Sequence, residues 1–378
     1  MSDAGAWQRF CDRLAAMGPV IEAEAPTPEA AAEGLHHLAN QLACWTTYAL
    51  GHADPARPAL FRSSDPIYSW GGPNADQVAR RAAIAGDARY RISGHMGSCE
   101  EFVLQIKRGA AQSGGAGVAT EVSASELGLG PGDDLDLVLG GPERPGRWIP
   151  LPEDAAFVHI RDYYFDWQAT DPATFVLERL GPVPDRRPRT SEAVAAVLDS
   201  AASEMEHSLR FWSGYQERLL GDQPPNRFGE PAGSAGGVQQ IIYSHTGVAL
   251  ADDQALVVTI EPDDAPLWDV QLYNRPWYEA LDPARPTNTN HRMAAVDADG
   301  SVRVVISARD VGAANWLDTE GRDQVLATIR WWRPDRPPTV SSEVVAVDDA
   351  PGARTVTPEA RAEERRRRAA HTAWRYRT

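Results

Sequence analysis

The chain lacks the motifs that mark the common cofactor classes. No Gly-x-Gly-x-x-Gly follows a strand pattern, and there is no Gly-x-x-x-x-Gly-Lys-Ser/Thr, no His-Glu-x-x-His and no Gly-x-Ser-x-Gly. Redox dinucleotides, nucleoside triphosphates, zinc-peptidase centres and serine-hydrolase elbows each rely on one of these. The expected cofactor is therefore none. The expected metal is also none, because His, Cys and acids show no ligand spacing and the adjacent His36 and His37 cannot share a helix face. The Gly-rich runs at 114–117 and 233–237 read as loops. Cysteine is scarce: Cys11, Cys44 and Cys99 are far apart, with no Cys-x-x-Cys. That usage fits a reducing compartment better than a disulfide framework, so the expected location is cytoplasmic. No apolar run approaches the ~18–20 residues of a membrane span, and no signal-peptide pattern is visible, so no membrane partner is expected. Basic charge is short as well: 37 Lys plus Arg stand against 53 Asp plus Glu, a formal charge of −16. An acidic surface disfavours nucleic acid as a partner. The run Arg365-Arg366-Arg367-Arg368 is the exception, and in its acidic-basic tail it reads as a solvated helix face.

What the chain does contain is one block written twice. Residues 137–164 and 304–332 each carry an apolar run, a polar Gly-containing loop, a Trp-apolar pair, a second polar loop and a second apolar run ending in Arg plus aromatics. Trp148-Ile149 matches Trp316-Leu317, and Arg161 matches Arg330 after a one-residue shift. Each run is too short for a globular helix and is bounded by turn residues, so the repeat predicts two related β-units.

At 378 residues the chain is long enough for two domains. Helical spacing is read at residues 6–17, 27–50 and 190–220, the last capped by Thr190-Ser191-Glu192. Strand patterns cover 89–94, 102–106, 239–245, 255–260, 267–273 and 302–306, with one more strand expected in 333–356. The predicted fold class is α+β: two mostly antiparallel β-sandwich-like units with an N-terminal helical region and a central connecting helix. The predicted boundaries are 1–58 for the helical region, 59–180 for the first β unit, 181–237 for the linker and central helix, 238–335 for the second β unit, and 336–378 for a C-terminal extension.

Several patches are similar to the paired bacterial DUF1254 and DUF1214 families, both of unknown function. In the first half these are Trp70-Gly71-Gly72-Pro73-Asn74-Ala75-Asp76 and Tyr90-Arg91-Ile92-Ser93-Gly94. In the second half they are Trp268-Asp269-Val270-Gln271-Leu272-Tyr273-Asn274, Asp299-Gly300-Ser301 and Asn315-Trp316-Leu317-Asp318. The first half departs from the pattern, because Gln77-Val78-Ala79 follows where the family has an aromatic. The resemblance implies a β-rich fold in each half and no particular reaction.

Candidate functional residues concentrate in the second half. His291 sits in a polar loop and has a side chain that titrates near neutrality, suiting general acid or base work. Asp310 and Asp318 flank the repeat Trp, where an Arg neighbour keeps a carboxylate ionised and an indole wall raises its pKa. The alternative for these acids is turn capping. Trp268, Gln271, Tyr273, Asn274 and Trp277 form an aromatic–amide cluster suited to an apolar ligand or a sugar ring, or simply to a core. Asn315, Trp70 and Asn74 complete the expected binding set. The leading expectation is a cofactor-independent enzyme acting on a hydrophobic small molecule by acid–base elimination or addition, as a dehydratase or hydratase does. The alternative is a non-catalytic binding module for a sugar or apolar metabolite. The expected pocket lies between the 268–278 segment and the loops at 288–291 and 309–318, with His291 and Asp318 at its surface. Oligomeric state stays open.

Overall fold

The computed structural model describes residues 3–65, 68–115, 117–169, 171–186, 188–234, 237–261, 265, 267–336, 338–350 and 355–376. The chain divides into two compact units. Unit 1 holds Met1–Gly71, Gln77–Tyr163 and Asp171–Gly214; unit 2 holds Gly72–Asp76, Tyr164–Thr170 and Tyr215–Thr378.

Unit 1 begins with helices α1 (Asp3–Ala15), α2 (Gly18–Glu24) and α3 (Pro28–Gly51). Thr27 caps α3, its Oγ1 accepting the Ala30 N–H at 3.2 Å, and Pro28 sits where the first turn needs no donor. A further helix, α4 (Ser191–Ser213), packs on α1 and α3. Ala201 and Ala202 of α4 bury against Phe10, beside Leu14 and Leu42. The apolar spacing predicts a single helix over 190–220. Instead α4 ends at Ser213, and a short α5 (Tyr215–Leu220) starts after Gly214, the last residue of unit 1. Glycine inside a helix costs about 1 kcal/mol, so the helix breaks there.

The strands of unit 1 are β1 (Phe61–Ser64), β2 (Gln77–Ala83), β3 (Arg89–His95), β4 (Glu101–Lys107), β5 (Val118–Ser123), β6 (Asp134–Leu139), β7 (Trp148–Ile149), β8 (Phe157–Tyr163) and β9 (Thr174–Leu180). They form two sheets, ordered β1-β2-β8-β4-β5 and β7-β6-β3-β9. Unit 2 contains β10 (Ala232–Gly233), β11 (Ile241–Ala249), β12 (Gln254–Glu261), β13 (Leu267–Tyr273), β14 (Asn288–Asn290), β15 (Val302–Ser307), β16 (Trp316–Asp318), β17 (Gln324–Trp332) and β18 (Thr339–Ala346). Its sheets run β10-β11-β17-β13-β14 and β16-β15-β12-β18. Each strand of unit 1 thus has its counterpart in unit 2, in the same chain order and the same sheet position. Both copies are antiparallel throughout except for one short parallel pair, β6–β7 and β15–β16.

The repeated Trp blocks are these counterparts. Val138 pairs with Trp148 and Val305 with Trp316. The Trp148 indole N–H donates to the Gly140 carbonyl at 3.1 Å, and that of Trp316 donates to the Ser307 carbonyl at 3.2 Å. Arg161 faces Val103 across β8–β4, and Arg330 faces Asp269 across β17–β13, so the two arginines are equivalent.

In unit 2 the two sheets enclose one apolar core. Trp268, Val270 and Leu272 of β13 meet Leu256, Val258, Val304, Ile306, Ile329 and Trp331. Because strand side chains alternate, Asp269, Gln271 and Tyr273 project from the opposite face. The tail forms a helix, α6 (Pro358–Arg375), capped by Thr357, whose Oγ1 accepts the Ala360 N–H at 3.3 Å. Here the expected solvated face needs correction. Arg365, Arg366 and Arg367 are exposed, but Arg368 is buried, together with Arg361, His371 and Arg375. Arg361, Arg368 and Arg375 recur every seven residues and so lie on one stripe of the helix, which unit 2 covers.

Candidate functional site

The polar face of the β13–β17 pair carries a buried network within unit 2. Arg330 Nη1 donates to Asp269 Oδ1 at 2.7 Å, and Arg330 Nη2 donates to the Tyr273 hydroxyl. Asn74 Nδ2 donates to Asp269 Oδ2 at 3.0 Å, while Asn74 Oδ1 accepts the Asp76 N–H at 2.7 Å. The Asp76 carboxylate accepts the Trp167 indole N–H at 2.7 Å and Asn290 Nδ2 at 2.8 Å, both on Oδ1. Gln271 Oε1 accepts the Ala75 N–H at 3.1 Å, and Arg375 donates to the Ala75 carbonyl. The segments at 72–76 and 164–167 reach this network because their backbones and short amide side chains satisfy a face that would otherwise strand buried polar groups.

Burial sets the electrostatics. It pushes the Asp76 carboxyl up to about 7, with the Asp269 charge adding to the rise and Arg375, Trp167 and Asn290 opposing it. Burial also raises Asp269, against the pull of Arg330 and Asn74. Arg330 is the closer counter-charge, so of the two carboxyls Asp76 is the one that holds a proton near neutrality. Tyr273 is pushed up to about 12 by burial. His371 stacks on Trp167 with centroids 4.9 Å apart, and burial lowers its imidazole to about 3, which keeps it neutral.

Next to this network lies a cavity of about 230 Å³. Its walls include Trp167, Gln168, Asn288, Arg292, Met293, Asn315, Trp316, Glu364 and Arg368. Arg368 braces one wall: Nη1 donates to Asn288 Oδ1 at 2.9 Å, Nη2 to the Asn288 carbonyl at 2.8 Å, and its guanidinium lies 5.1 Å from the Trp167 ring centre. Asn288 Nδ2 is buried without a hydrogen-bond partner among the described residues.

The residues expected from the sequence fall in several places. Asn74, Gln271 and Tyr273 belong to the buried network, and Asn315 lines the cavity. The Asn315 side chain also ties two loops, accepting the Ala295 N–H at 2.7 Å and donating to the Ala295 and Arg303 carbonyls at 2.8 and 3.0 Å. His291 is half-buried, edge-on to Phe165 at 4.9 Å. Asp318 is not at a pocket surface. It is fully buried, its Oδ2 accepts from Arg285 Nε at 2.7 Å, and its Oδ1 accepts the Glu320 N–H at 2.8 Å. Asp310 accepts the Gly312 N–H at 2.8 Å and pairs with Arg361 at 2.9 Å. These three residues are thus held by three separate sets of neighbours. Trp268 is part of the apolar core, and Trp277 is buried. Asn274 closes the turn to Glu279, accepting its N–H at 2.9 Å. Trp70 lies in unit 1, 5.2 Å from Trp45 and 6.3 Å from Trp212.

The sequence reading placed Asp76 in a polar-aromatic set of the first half and Asn288 and Asn290 in a loop of the expected pocket without giving any of them a role, and it did not single out Trp167, Arg368 or His371. The Asn-x-Asp at 74–76, the Asn-x-Asn at 288–290 and the heptad spacing of α6 arginines were the available signals.

Residues 243–336, inside unit 2, match the profile of DUF1214, described as a protein of unknown function. Among solved structures, an uncharacterised protein from Burkholderia cenocepacia is 28% identical, with a TM-score of 0.82 over 90% of this chain and 96% of its own. It shares the fold described above. The VPA0106 protein from Vibrio parahaemolyticus is 13% identical, with a TM-score of 0.47 over 80% of this chain and 96% of its own. No curated protein matches this chain. No helix among the described residues is long and apolar enough to cross a membrane.

Proposed function

We propose that unit 2 binds a small hydroxylated molecule, a sugar ring or its acid, in the cavity beside α6. The carrying observation is the wall itself. Trp167 and Trp316 line the cavity together with Asn288, Arg292 and Arg368. Aromatic faces pack against a ring while amide and guanidinium donors select its oxygens. Asn288 Nδ2 supplies a donor that no described residue takes up. The volume of about 230 Å³ exceeds the ~150 Å³ that admits benzene, so one substituted ring is the right scale. This polar lining supports the hydroxylated ligand over the apolar one.

A second reading, acid–base elimination or addition on that ligand, is favoured by Asp76. Its carboxyl titrates at about 7, in the range of a useful general acid, and it is bonded to the wall indole of Trp167. Calorimetric titration with monosaccharides, uronic acids and aliphatic alcohols tests both. A sugar or sugar acid is expected to bind, and Arg292→Ala to weaken it at least about tenfold, the loss of one charge-assisted hydrogen bond. Absence of binding across the panel, with no small molecule retained in native mass spectrometry of protein taken from cells, would overturn the binding reading. Binding without turnover in wild type would end the catalytic one.

A further inference from the structure

The run of four arginines near the C-terminus is sorted by the helix that carries it. Successive residues of an α-helix point about 100° apart, so Arg365, Arg366, Arg367 and Arg368 face four different ways. Arg368 faces the fold: its Nε donates to Glu364 at 3.0 Å, and both terminal nitrogens donate to Asn288. Arg365 lies 3.6 Å from the buried Asp318 carboxylate. Arg366 donates to the exposed Glu363 at 3.0 Å. Arg367 is different. It is exposed and lines the cavity of unit 2, and among the described residues no hydrogen bond or ion pair engages its guanidinium.

Two carboxylates also line the cavity, and the protein holds each of them. Glu364 accepts from Arg368 on Oε1 and from Arg361 on Oε2. Asp166 turns back on its own loop, where Oδ1 accepts the Gln168 N–H at 2.9 Å. Arg368 has used all three of its nitrogens on Glu364 and Asn288. Arg367 and the buried Asn288 Nδ2 thus remain as lining donors that no described residue takes up. Burial lowers the Arg368 guanidinium; Glu364 opposes that fall and the neighbouring Arg367 charge adds to it. An anion beside Arg367 relieves this repulsion.

We propose that the cavity selects a ring carrying one carboxylate over the neutral ring, and that Arg367 makes the selection. This rests on the cavity reading above and narrows its ligand to the acid. A guanidinium meets a carboxylate through two parallel hydrogen bonds, and its planar fork is set for that geometry in advance. The indole walls take the ring and Asn288 takes one of its oxygens, so the carboxylate goes to the exposed end of the cavity. Burying a carboxylate without a partner is costly, whereas one held at the rim keeps water on its free side.

The experiment is calorimetric titration of the full chain at low salt with glucuronate, glucuronamide and glucose. The amide keeps the shape of the acid and drops its charge. Glucuronate is expected to bind about fivefold more tightly than glucuronamide, the upper range for an ion pair that water still reaches. Added salt should shrink that gap. Arg367→Gln is expected to bring acid and amide to near-equal affinity. Arg366→Gln removes the same charge one position away, outside the cavity, and should keep the gap. Both side chains are exposed, so both variants should melt as wild type does. The inference fails if glucuronamide or glucose binds wild type as tightly as glucuronate, and the cavity reading then survives with a neutral ligand. It fails equally if Arg366→Gln closes the gap as far as Arg367→Gln. Binding by none of the three also overturns it, and the wider ligand panel then decides the cavity reading by itself.

Discussion

Asp76 and Asp269 are both fully buried, and one amide joins them: Asn74 accepts the Asp76 N–H at 2.7 Å and donates to the Asp269 carboxylate at 3.0 Å. Two neighbouring carboxyls in a dry interior cannot both ionise cheaply. Arg330 compensates Asp269, so the proton falls to Asp76.

A pH dependence follows, and its sign is unusual for an acid. The folded pKa of Asp76, about 7, lies above the unfolded value of ~3.9. The group's contribution to stability is complete below about pH 4 and is lost as pH rises to about 7. Asp76→Asn keeps an acceptor for Trp167 and Asn290 but cannot ionise. Its melting temperature relative to wild type should climb between pH 4 and 7 and level off above. A difference that stays constant over that range in paired thermal scans would contradict the assignment.

The Asp269–Arg330 pair should show the asymmetry of a buried ion pair. Arg330→Met leaves Asp269 without its counter-charge and is expected to cost about 3–5 kcal/mol in denaturant unfolding. Adding Asp269→Asn should recover part of that loss. If the single variant loses less than about 1 kcal/mol, the pair contributes little to holding the fold.

Asp318 and His291 should separate cleanly. Asp318→Asn removes the charge of a buried carboxylate from its bonds to the partly exposed Arg285 and should lower stability by roughly 2–3 kcal/mol. His291→Ala removes a half-buried ring from the edge of Phe165 and should cost about 1 kcal/mol. Equal losses in urea titrations would mean that the Arg285 pair does not anchor its loop.

The C-terminal helix is expected to be integral to unit 2. Arg361→Ala removes the bonds to Asp310 and to the Ala313 carbonyl, at 2.9 and 2.7 Å, and should cost about 2–3 kcal/mol. Hydrogen exchange of the α6 amides should accelerate with it. Unchanged exchange and stability would return the helix to the solvated tail that its charge first implies.

The α+β class and the repeat of mostly antiparallel β-units were readable from residues alone, but the parallel pairs β6–β7 and β15–β16 and the break between α4 and α5 were not. The blocks at 137–164 and 304–332 fold as β6-β7-β8 and β15-β16-β17 because alternation and turn residues act over a few positions. The same short-range rule places Trp268 in the core and Asp269 on the opposite face. Which polar groups meet was decided only by the folded chain. Asn74 and Asp269 are 195 positions apart, Asp76 and Asn290 are 214 apart, and Ala75 and Arg375 are 300 apart. No periodicity links them. The arginines of α6 show their common stripe in the sequence, but a charged stripe is ordinarily solvated. Asp310, the Asn288 amide and the Ala75 carbonyl are what allow it to be buried, and these come from distant strands and turns. Local sterics and hydrophobic period are carried residue by residue along the chain, whereas the compensation of a buried charge depends on partners that only tertiary packing brings within reach.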